Sequence, residues 1–472
     1  MLAGGSALVA VGLVAVTAVV LLRPSGLKMA ERAPVPEDWD PSVTELVEFV
    51  EDARDLEFDH PVPVDFLTPE EYRDEVRLDD ADLAAGDEEF YEDQAALLRA
   101  LGLAEGDLDL LDAGNELADS GTLAFYDAAA ERIVVRRGDT DGTDDTDDID
   151  VGVEVTLVHE LTHALQHQHF PDLFPEDETT GGESFAMTGL VEGDAIRIEL
   201  EYIDSLDRDE QGEYDDITAD QFDEGQEAVA DLPASMVAFF DAPYLLGDPF
   251  VALLDAMGGD AVDEAFAEPP RSDEQLIDPF RYLDADAPDL PDPPEVEGDV
   301  ADEGDFGAVG WLVVLAERID PLLALDAVDG WRGDGYTLYE TGGVVCADLV
   351  VQGDTETDTH QLHGALVEWA AATPAIAPVV AREGDTVAVT ACDPGPDAEL
   401  DLTGDGARAL AYPAARSFLA ADEIAFGTDL DGARCLADNL VRRYTLDELE
   451  AAEAPRDVDA RFTAAADACG VS

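Results

Sequence analysis

The residues best suited to chemistry lie in the stretch VEVTLVHELTHALQHQHF, residues 153–170. His159 and His163 are four residues apart, so on a helix their side chains lie one turn apart on the same face. Two imidazoles in this arrangement can bind one zinc ion at about 2.0–2.1 Å each. Glu160 can then serve as the general base for a zinc-bound water. The pattern predicts a zinc peptidase site, and a helix that is merely rich in histidine is the alternative.

A catalytic zinc needs a third protein ligand and one open position. We expect this ligand on the next helix, where the candidates are Glu183, Glu192, Glu199 and Glu201. Glu192 lies among small and apolar residues in GLVEGDA and is the predicted ligand. Glu199 and Glu201 lie towards a charged helix end and are predicted to be solvated. Glu183 suits a helix start, where a carboxylate interacts favourably with the helix dipole.

Two further roles are needed for peptide hydrolysis. A strand that precedes the active helix can bind the substrate backbone by edge pairing, and Ile133, Val134 and Val135 are the candidates by position. A hydroxyl group can stabilise the tetrahedral intermediate. The candidates for this second role, among which the sequence does not choose, are Tyr126, Tyr202, Tyr244 and Tyr282.

HELTH followed by Glu192 resembles the gluzincin class of zinc peptidases, which bind zinc through two histidines and a glutamate. More closely, the chain resembles a family of haloarchaeal and bacterial surface proteins regarded as peptidases. The resemblance covers roughly residues 45–469. It is carried by the segments HELTHALQ-x-QHF, LVEGDA, PYLLGDPFV, PPRSDEQLIDP, GWRGDGY and ARCLADNLVRRYTLDEL.

The resemblance implies a zincin catalytic core with accessory regions. Two positions depart from it: relatives often have Asp where His167 stands, and His where Asp278 stands. If that downstream histidine stabilises the oxyanion in relatives, its absence here puts full activity in question.

The element pattern predicts an α+β protein with a mainly helical zincin-like core, a short sheet, and a smaller disulfide-bearing α/β C-terminal region. Residues 151–169 read as one helix that ends before Pro171, and GTLAFYDAAAERIVVRRG reads as a hairpin. The Pro- and Asp-rich segment 284–305 marks either a domain boundary or a long surface loop. The expected regions are 1–22 (anchor or signal segment), 23–40 (linker), 41–283 (catalytic domain), 284–305 (acidic loop) and 306–472 (accessory region).

The charge balance is extreme, with 24 Lys and Arg against 112 Asp and Glu, a net charge of −88. Lys28 is the only lysine. Such a chain repels itself in dilute buffer, and roughly molar salt screens the repulsion, so the composition indicates a halophile. Nucleic acid is excluded as a partner because no basic patch could neutralise phosphates. A peptide or protein substrate is expected, and the sequence does not indicate an oligomeric state.

Residues 2–22 form an uncharged apolar run of about membrane-spanning length, which predicts an N-terminal anchor. A cleaved signal peptide is less favoured because no basic residue precedes the run. Arg23 and Lys28 after it would favour a cytoplasmic C-terminal side. The cysteines favour the opposite orientation, in which the large domain lies outside the cell.

The four cysteines all lie in the last third of the chain, and their even number predicts two disulfides in an oxidising compartment. We expect neighbours in sequence to pair, Cys346 with Cys392 and Cys435 with Cys469, and four buried free thiols are the alternative. Together these features predict a membrane-anchored, extracellular zinc peptidase. The alternative is a non-catalytic cell-surface binding or envelope protein with a vestigial or structural zinc site.

Overall fold

The computed structural model describes residues 32–78, 83, 86–121, 123–137, 149–174, 181–449, 451, 455 and 457–471. The structure is 57% helical and has two small sheets within these residues, which confirms the predicted α+β class. The predicted anchor at residues 2–22 and most of the acidic loop 139–150 lie outside the described residues.

The N-terminal half is built mainly of helices around a short sheet. In chain order its helices are α1 (Thr44–Arg54), α2 (Pro69–Val76), α3 (Asp87–Ala100), α4 (Leu110–Gly121), α5 (Val151–His169), α6 (Gly182–Ser205), α7 (Arg208–Ala228), α8 (Ala234–Met257), α9 (Ala261–Ala267), α10 (Glu274–Ile277) and α11 (Pro279–Leu283). A 3-10 turn, Pro171–Leu173, follows α5.

The short sheet contains β1 (Val64–Leu67), β2 (Ala124–Asp127) and β3 (Arg132–Arg136), in the order β1-β3-β2. The antiparallel pairing of β2 with β3 confirms the predicted hairpin. The prediction that Ile133, Val134 and Val135 form a substrate-binding edge is wrong. β3 is the central strand, its backbone pairs with β1 on one side and β2 on the other, and these three side chains are fully buried.

The C-terminal half contains a five-stranded antiparallel sheet in the order β4-β5-β6-β8-β7. Its strands are β4 (Asp299–Gly304), β5 (Trp331–Thr341), β6 (Val344–Gly353), β7 (Val379–Glu383) and β8 (Thr386–Cys392). The accompanying helices are α12 (Gly307–Ala316), α13 (Pro321–Val328), α14 (Glu356–Ala372), α15 (Asp405–Arg408), α16 (Ala411–Ala425), α17 (Leu430–Val441), α18 (Leu446–Leu449) and α19 (Val458–Cys469).

Helix α5 has the predicted bounds for local reasons at both ends. Asp150 caps its N-terminus, where Oδ1 accepts a hydrogen bond from the Val153 backbone N–H (2.9 Å). Its C-terminus precedes Pro171, which cannot continue a helix. Between these ends the helix is buried from Val151 to Gln166 except at Glu154, so its polar side chains are held inside the protein.

Helices α6 and α8 cross in close contact because glycines lie at the crossing. A Cβ on Gly247 of α8 would overlap the backbone carbonyl of Gly189 on α6. Likewise, a Cβ on Gly193 would overlap the carbonyl of Gly247. Glycine is therefore required at this crossing by the close approach of two backbones.

The largest apolar cluster includes residues from Leu97 to Leu446, so it joins the regions expected as separate domains. Segment 284–305 is mostly exposed, and its last part forms strand β4. Among the described helices, α8 alone is long and apolar enough to cross a membrane, and 61% of its most apolar window is buried inside the protein.

Two disulfides connect elements of the C-terminal half, as predicted. Cys346 on β6 pairs with Cys392 on β8, and these residues lie opposite each other in the sheet. Cys435 on α17 pairs with Cys469 at the end of α19. The alternative of four free thiols is therefore wrong.

Candidate metal centre

Three side chains from two neighbouring helices converge at the centre of the N-terminal half. His159 and His163 come from consecutive turns of α5, and Glu192 comes from the middle of α6. Their ligand atoms all lie within 4.8 Å of one another, and all three side chains are buried. Within the described part of the chain, this is the one group of His, Cys, Asp or Glu side chains that could share a metal ion.

The distances fit a metal ion bound by all three residues. Oε2 of Glu192 lies 3.2 Å from Nε2 of His159 and 3.2 Å from Nε2 of His163. Two ligand bonds of about 2.0–2.1 Å at a tetrahedral angle place the ligand atoms roughly 3.4 Å apart. Moreover, Nε2 of His163 is buried, and its contact with Glu192 is an ion-pair contact without a hydrogen bond. A buried nitrogen of this kind needs compensation, and a cation would provide it. This group could therefore hold a metal ion.

The charges of the group also suit a cation. Burial lowers the pKa of His159, but hydrogen bonds to Glu192 and Glu199 outweigh burial and raise it to about 10. Burial raises the pKa of Glu192, but the adjacent His163 and His159 outweigh it and hold that pKa below its usual range. The carboxylate therefore keeps its negative charge, and a metal ion would replace the proton on His159.

Glu160 lies beside the three ligands but is not one of them. Its Oε2 accepts a hydrogen bond from the Tyr126 backbone N–H of β2 (2.7 Å), whereas its buried Oε1 has no hydrogen-bond partner. Burial raises the pKa of Glu160 to about 7, although His159 and His163 oppose the shift. A carboxyl group with this pKa can accept and release a proton near neutral pH.

Comparisons of the chain with protein-family models, with curated proteins and with solved structures find no match. What the site does must therefore be inferred from its own residues.

Glu199 is buried beside His159, which corrects the prediction that it is solvated. Its Oε2 accepts a hydrogen bond from Nδ1 of His159 (3.0 Å), and its Oε1 accepts one from the Tyr214 hydroxyl of α7 (3.4 Å). A carboxylate behind a ligand histidine orients the ring and makes it a stronger ligand. Glu199 follows Glu192 by seven residues, two helical turns, and this spacing is a signal that could have identified it from the sequence.

The other candidates for the third ligand lie away from the pair of histidines. Glu183 and Glu201 are exposed, Glu183 in the first turn of α6 and Glu201 near its end. Both lie near an end of α6, whereas the middle of this helix, including Glu192, is buried. The apolar sequence around Glu192 therefore identified a carboxylate that faces inward.

Tyr126 is the tyrosine candidate that the structure places next to the site. Its backbone contacts Glu160, and its hydroxyl is hydrogen-bonded to Nδ1 of His167 (2.8 Å), one turn beyond His163. The hydroxyls of Tyr202 and Tyr282 donate instead to Glu154 and to the Glu268 carbonyl.

Asp278 caps helix α11. Its Oδ1 accepts from the Phe280 backbone N–H, and its Oδ2 accepts from Arg434. In this chain the position serves to begin a short helix.

Proposed function

We propose that this protein is a zinc-dependent peptidase of the gluzincin type. The observation that supports it best is that two histidines and Glu192 lie together beside a fourth side chain, Glu160. Oε1 of Glu160 has no hydrogen-bond partner. Two histidines, a carboxylate and one open position are the ligand set of catalytic zinc. A site that served only to bind metal would have no need of Glu160.

His159, His163 and Glu192 would hold the zinc ion. Bound there, zinc would act as a Lewis acid that polarises the substrate carbonyl and lowers the pKa of water. Glu160 would accept the proton of the attacking water at Oε1, because Oε2 is already held by the Tyr126 N–H. It would then pass the proton to the leaving amine.

The outer edge of β2 takes the place of β3 as the proposed substrate-binding strand. Among the strands that the structure describes, β2 pairs only with β3, and Tyr126 in it contacts Glu160. An extended peptide that paired with this edge would bring its backbone to the general base.

We also propose that residues 2–22 anchor the chain in the membrane, with the described residues on the extracellular face. The two disulfides support an oxidising compartment. They oppose the cytoplasmic orientation that Arg23 and Lys28 would favour.

One observation favours the second candidate, a cell-surface binding protein with a structural zinc site. His159, Glu160 and Glu192 have no exposed surface at all, and His163 is only 3% exposed. A peptidase with this site must open to admit a peptide, whereas a structural site is closed.

The test compares the wild type with Glu160→Gln in a broad peptide-library digest near molar salt. We expect the change to lower hydrolysis by roughly 10²–10⁴-fold, because the general base is lost. Zinc content and folding should persist, because no ligand has changed. Chelator should abolish wild-type cleavage, and added zinc should restore it.

Glu154→Gln is the matched control, since Glu154 lies on the same helix and contacts Tyr202 rather than the site. It should cleave like the wild type. If zinc-loaded wild type cleaves no peptide, the peptidase proposal fails and the binding-protein candidate replaces it.

A further inference from the structure

We propose that Arg54, Asp194 and Gln166 are positioning residues for the metal centre. Together they hold the His163 ring in the tautomer with the proton on Nδ1, which leaves Nε2 available to a metal ion. This inference rests on the metal site of the proposed function, but it does not depend on the reaction carried out there.

The first step is the contact between His163 and Gln166. Oε1 of Gln166 lies 3.0 Å from Nδ1 of His163, and both side chains are buried. A glutamine amide has an accepting end and a donating end, so it could in principle face the ring with either. Which end faces His163 decides which nitrogen of the ring carries the proton.

The orientation of the amide is set by two acceptors on its other side. Nε2 of Gln166 donates to the Val191 carbonyl (3.1 Å) and to Oδ2 of Asp194 (3.0 Å). A carbonyl and a carboxylate accept hydrogen bonds and cannot donate them. The amide nitrogen must therefore face these two groups, and Oε1 must face His163.

Asp194 is kept as an acceptor by two arginines. Its Oδ2 accepts from Nε of Arg54 (2.8 Å), and its Oδ1 accepts from Nη2 of Arg197 (2.8 Å). Asp194 is fully buried, and the Arg54 side chain is 4% exposed. The outer end of Arg54 pairs with Asp263, and its guanidinium lies over the Phe266 ring. Removal of one partner from a buried ion pair leaves the other charge without compensation, so the pair is held together strongly.

The two ligand histidines therefore need different support. The carboxylate of Glu199 can only accept a hydrogen bond, so it requires a proton on Nδ1 of His159. No further residue is needed to set that tautomer. The amide of Gln166 is ambiguous by itself. The buried Arg54–Asp194 pair removes the ambiguity. It connects the site to helix α1, because its two partners are 140 residues apart in sequence.

The test is Asp194→Asn, which keeps the size of the side chain but adds an amide donor. Gln166 then keeps only the Val191 carbonyl as an obligatory acceptor. The preference of its amide for facing His163 with Oε1 is therefore weakened. We expect zinc affinity to fall by about 10–100-fold, the usual effect of losing support behind a ligand. In the metal-free protein we expect the proton of His163 to move from Nδ1 towards Nε2.

Zinc affinity is measured by competition with a chelating dye near molar salt. The tautomer is measured by NMR of protein labelled with ¹⁵N-histidine, which is practical because the chain has seven histidines. Asp263→Asn is the matched control, since it makes the same change at the outer, 53% exposed partner of Arg54. Asp263→Asn should alter neither the zinc affinity nor the tautomer of His163.

A second pair of variants covers the case in which Asp194→Asn does not fold. Gln166→Met removes the acceptor from Nδ1 of His163, whereas Gln168→Met makes the same change two residues away, where the side chain contacts Asp59 and His60 instead. Only Gln166→Met should shift the tautomer and weaken zinc binding.

The inference is overturned if His163 keeps its Nδ1 proton and its zinc affinity in the folded Asp194 or Gln166 variant. If the wild type binds no zinc, the proposed function fails, but the tautomer measurement still decides the inference. If zinc binds as expected and no peptide is cleaved, only the peptidase proposal fails.

Discussion

At the scale of single residues, the site depends on buried polar groups, several of which are compensated by neighbouring buried side chains. Glu199 is the clearest case, because a fully buried carboxylate must be compensated, and His159 and Tyr214 do so. This arrangement makes Glu199 part of the candidate metal centre, although it is not one of the three residues that could hold the ion.

We predict that Glu199→Gln lowers zinc affinity by about 10–100-fold while the fold is kept. The amide is a weaker acceptor than the carboxylate, and it can turn its donating end towards Nδ1 of His159. The measurement is chelator competition near molar salt.

Glu201→Gln provides the control, since Glu201 is exposed two residues further along α6. It should bind zinc like the wild type. If Glu199→Gln binds zinc as tightly as Glu201→Gln and the wild type, Glu199 does not support His159 as a ligand.

At the scale of elements, the position of Glu192 depends on how closely α6 approaches α8. Glu192 directly precedes Gly193, one of the glycines at this crossing. Because the backbones touch there, a displacement of α8 is transmitted to α6 and therefore to the third ligand.

We predict that Gly247→Ala destabilises the protein by about 1–3 kcal/mol, the usual cost of adding a methyl group to a filled interior. It should also weaken zinc binding, because the new Cβ would overlap the Gly189 carbonyl and push the helices apart. Denaturant unfolding and chelator competition measure the two effects.

Gly212→Ala on helix α7 is the matched control, since a Cβ at this position would make no close contact with a neighbouring element. It should leave zinc affinity unchanged and stabilise the helix slightly, because alanine is the better helix former. If Gly247→Ala also leaves zinc affinity and stability undiminished, the crossing of α6 and α8 does not position Glu192.

At the scale of the whole molecule, the net charge of −88 opposes the compact state. Most of the arginines that the structure describes form ion pairs, several of them partly or wholly buried, such as Arg416 with Asp329. These pairs neutralise only a small part of the acidic surface, so the remaining repulsion must be screened by salt.

We predict that the free energy of unfolding at pH 7 rises steeply between about 0.1 M and 1 M NaCl, as the Debye length falls from about 10 Å to about 3 Å. Denaturant titrations at each salt concentration measure it. Near pH 4, close to the isoelectric point of about 4.1, most of this dependence should disappear. A salt effect of equal size at both pH values would mean that salt acts on apolar burial rather than on charge.

The local features of the fold could be predicted from the sequence because short-range chemistry determines them. Helix α5 begins at a capping aspartate and ends before a proline, and the hairpin of β2 and β3 follows from adjacent strand patterns. The disulfides also follow sequence order, with sequence separations of 46 and 34 between partners.

The order of strands in the short sheet could not be predicted in the same way. β3 looks like an edge strand as the second strand of a hairpin, but β1, from more than sixty residues earlier, pairs with its other side. Strand order depends on which distant segment docks, and no local pattern records that choice.

The sequence by itself identified the three residues that could hold a metal ion, because the four-residue spacing of His159 and His163 and the apolar setting of Glu192 are local properties. Only the tertiary structure decided how these ligands are supported. Arg54 reaches His163 through Asp194 and Gln166, and the Arg54–Asp194 contact alone spans 140 residues of sequence. Tyr126 reaches Glu160 from β2. Such contacts are set by the packing of α1, α5, α6 and the sheet around one core, and packing depends on the shapes of all the elements together.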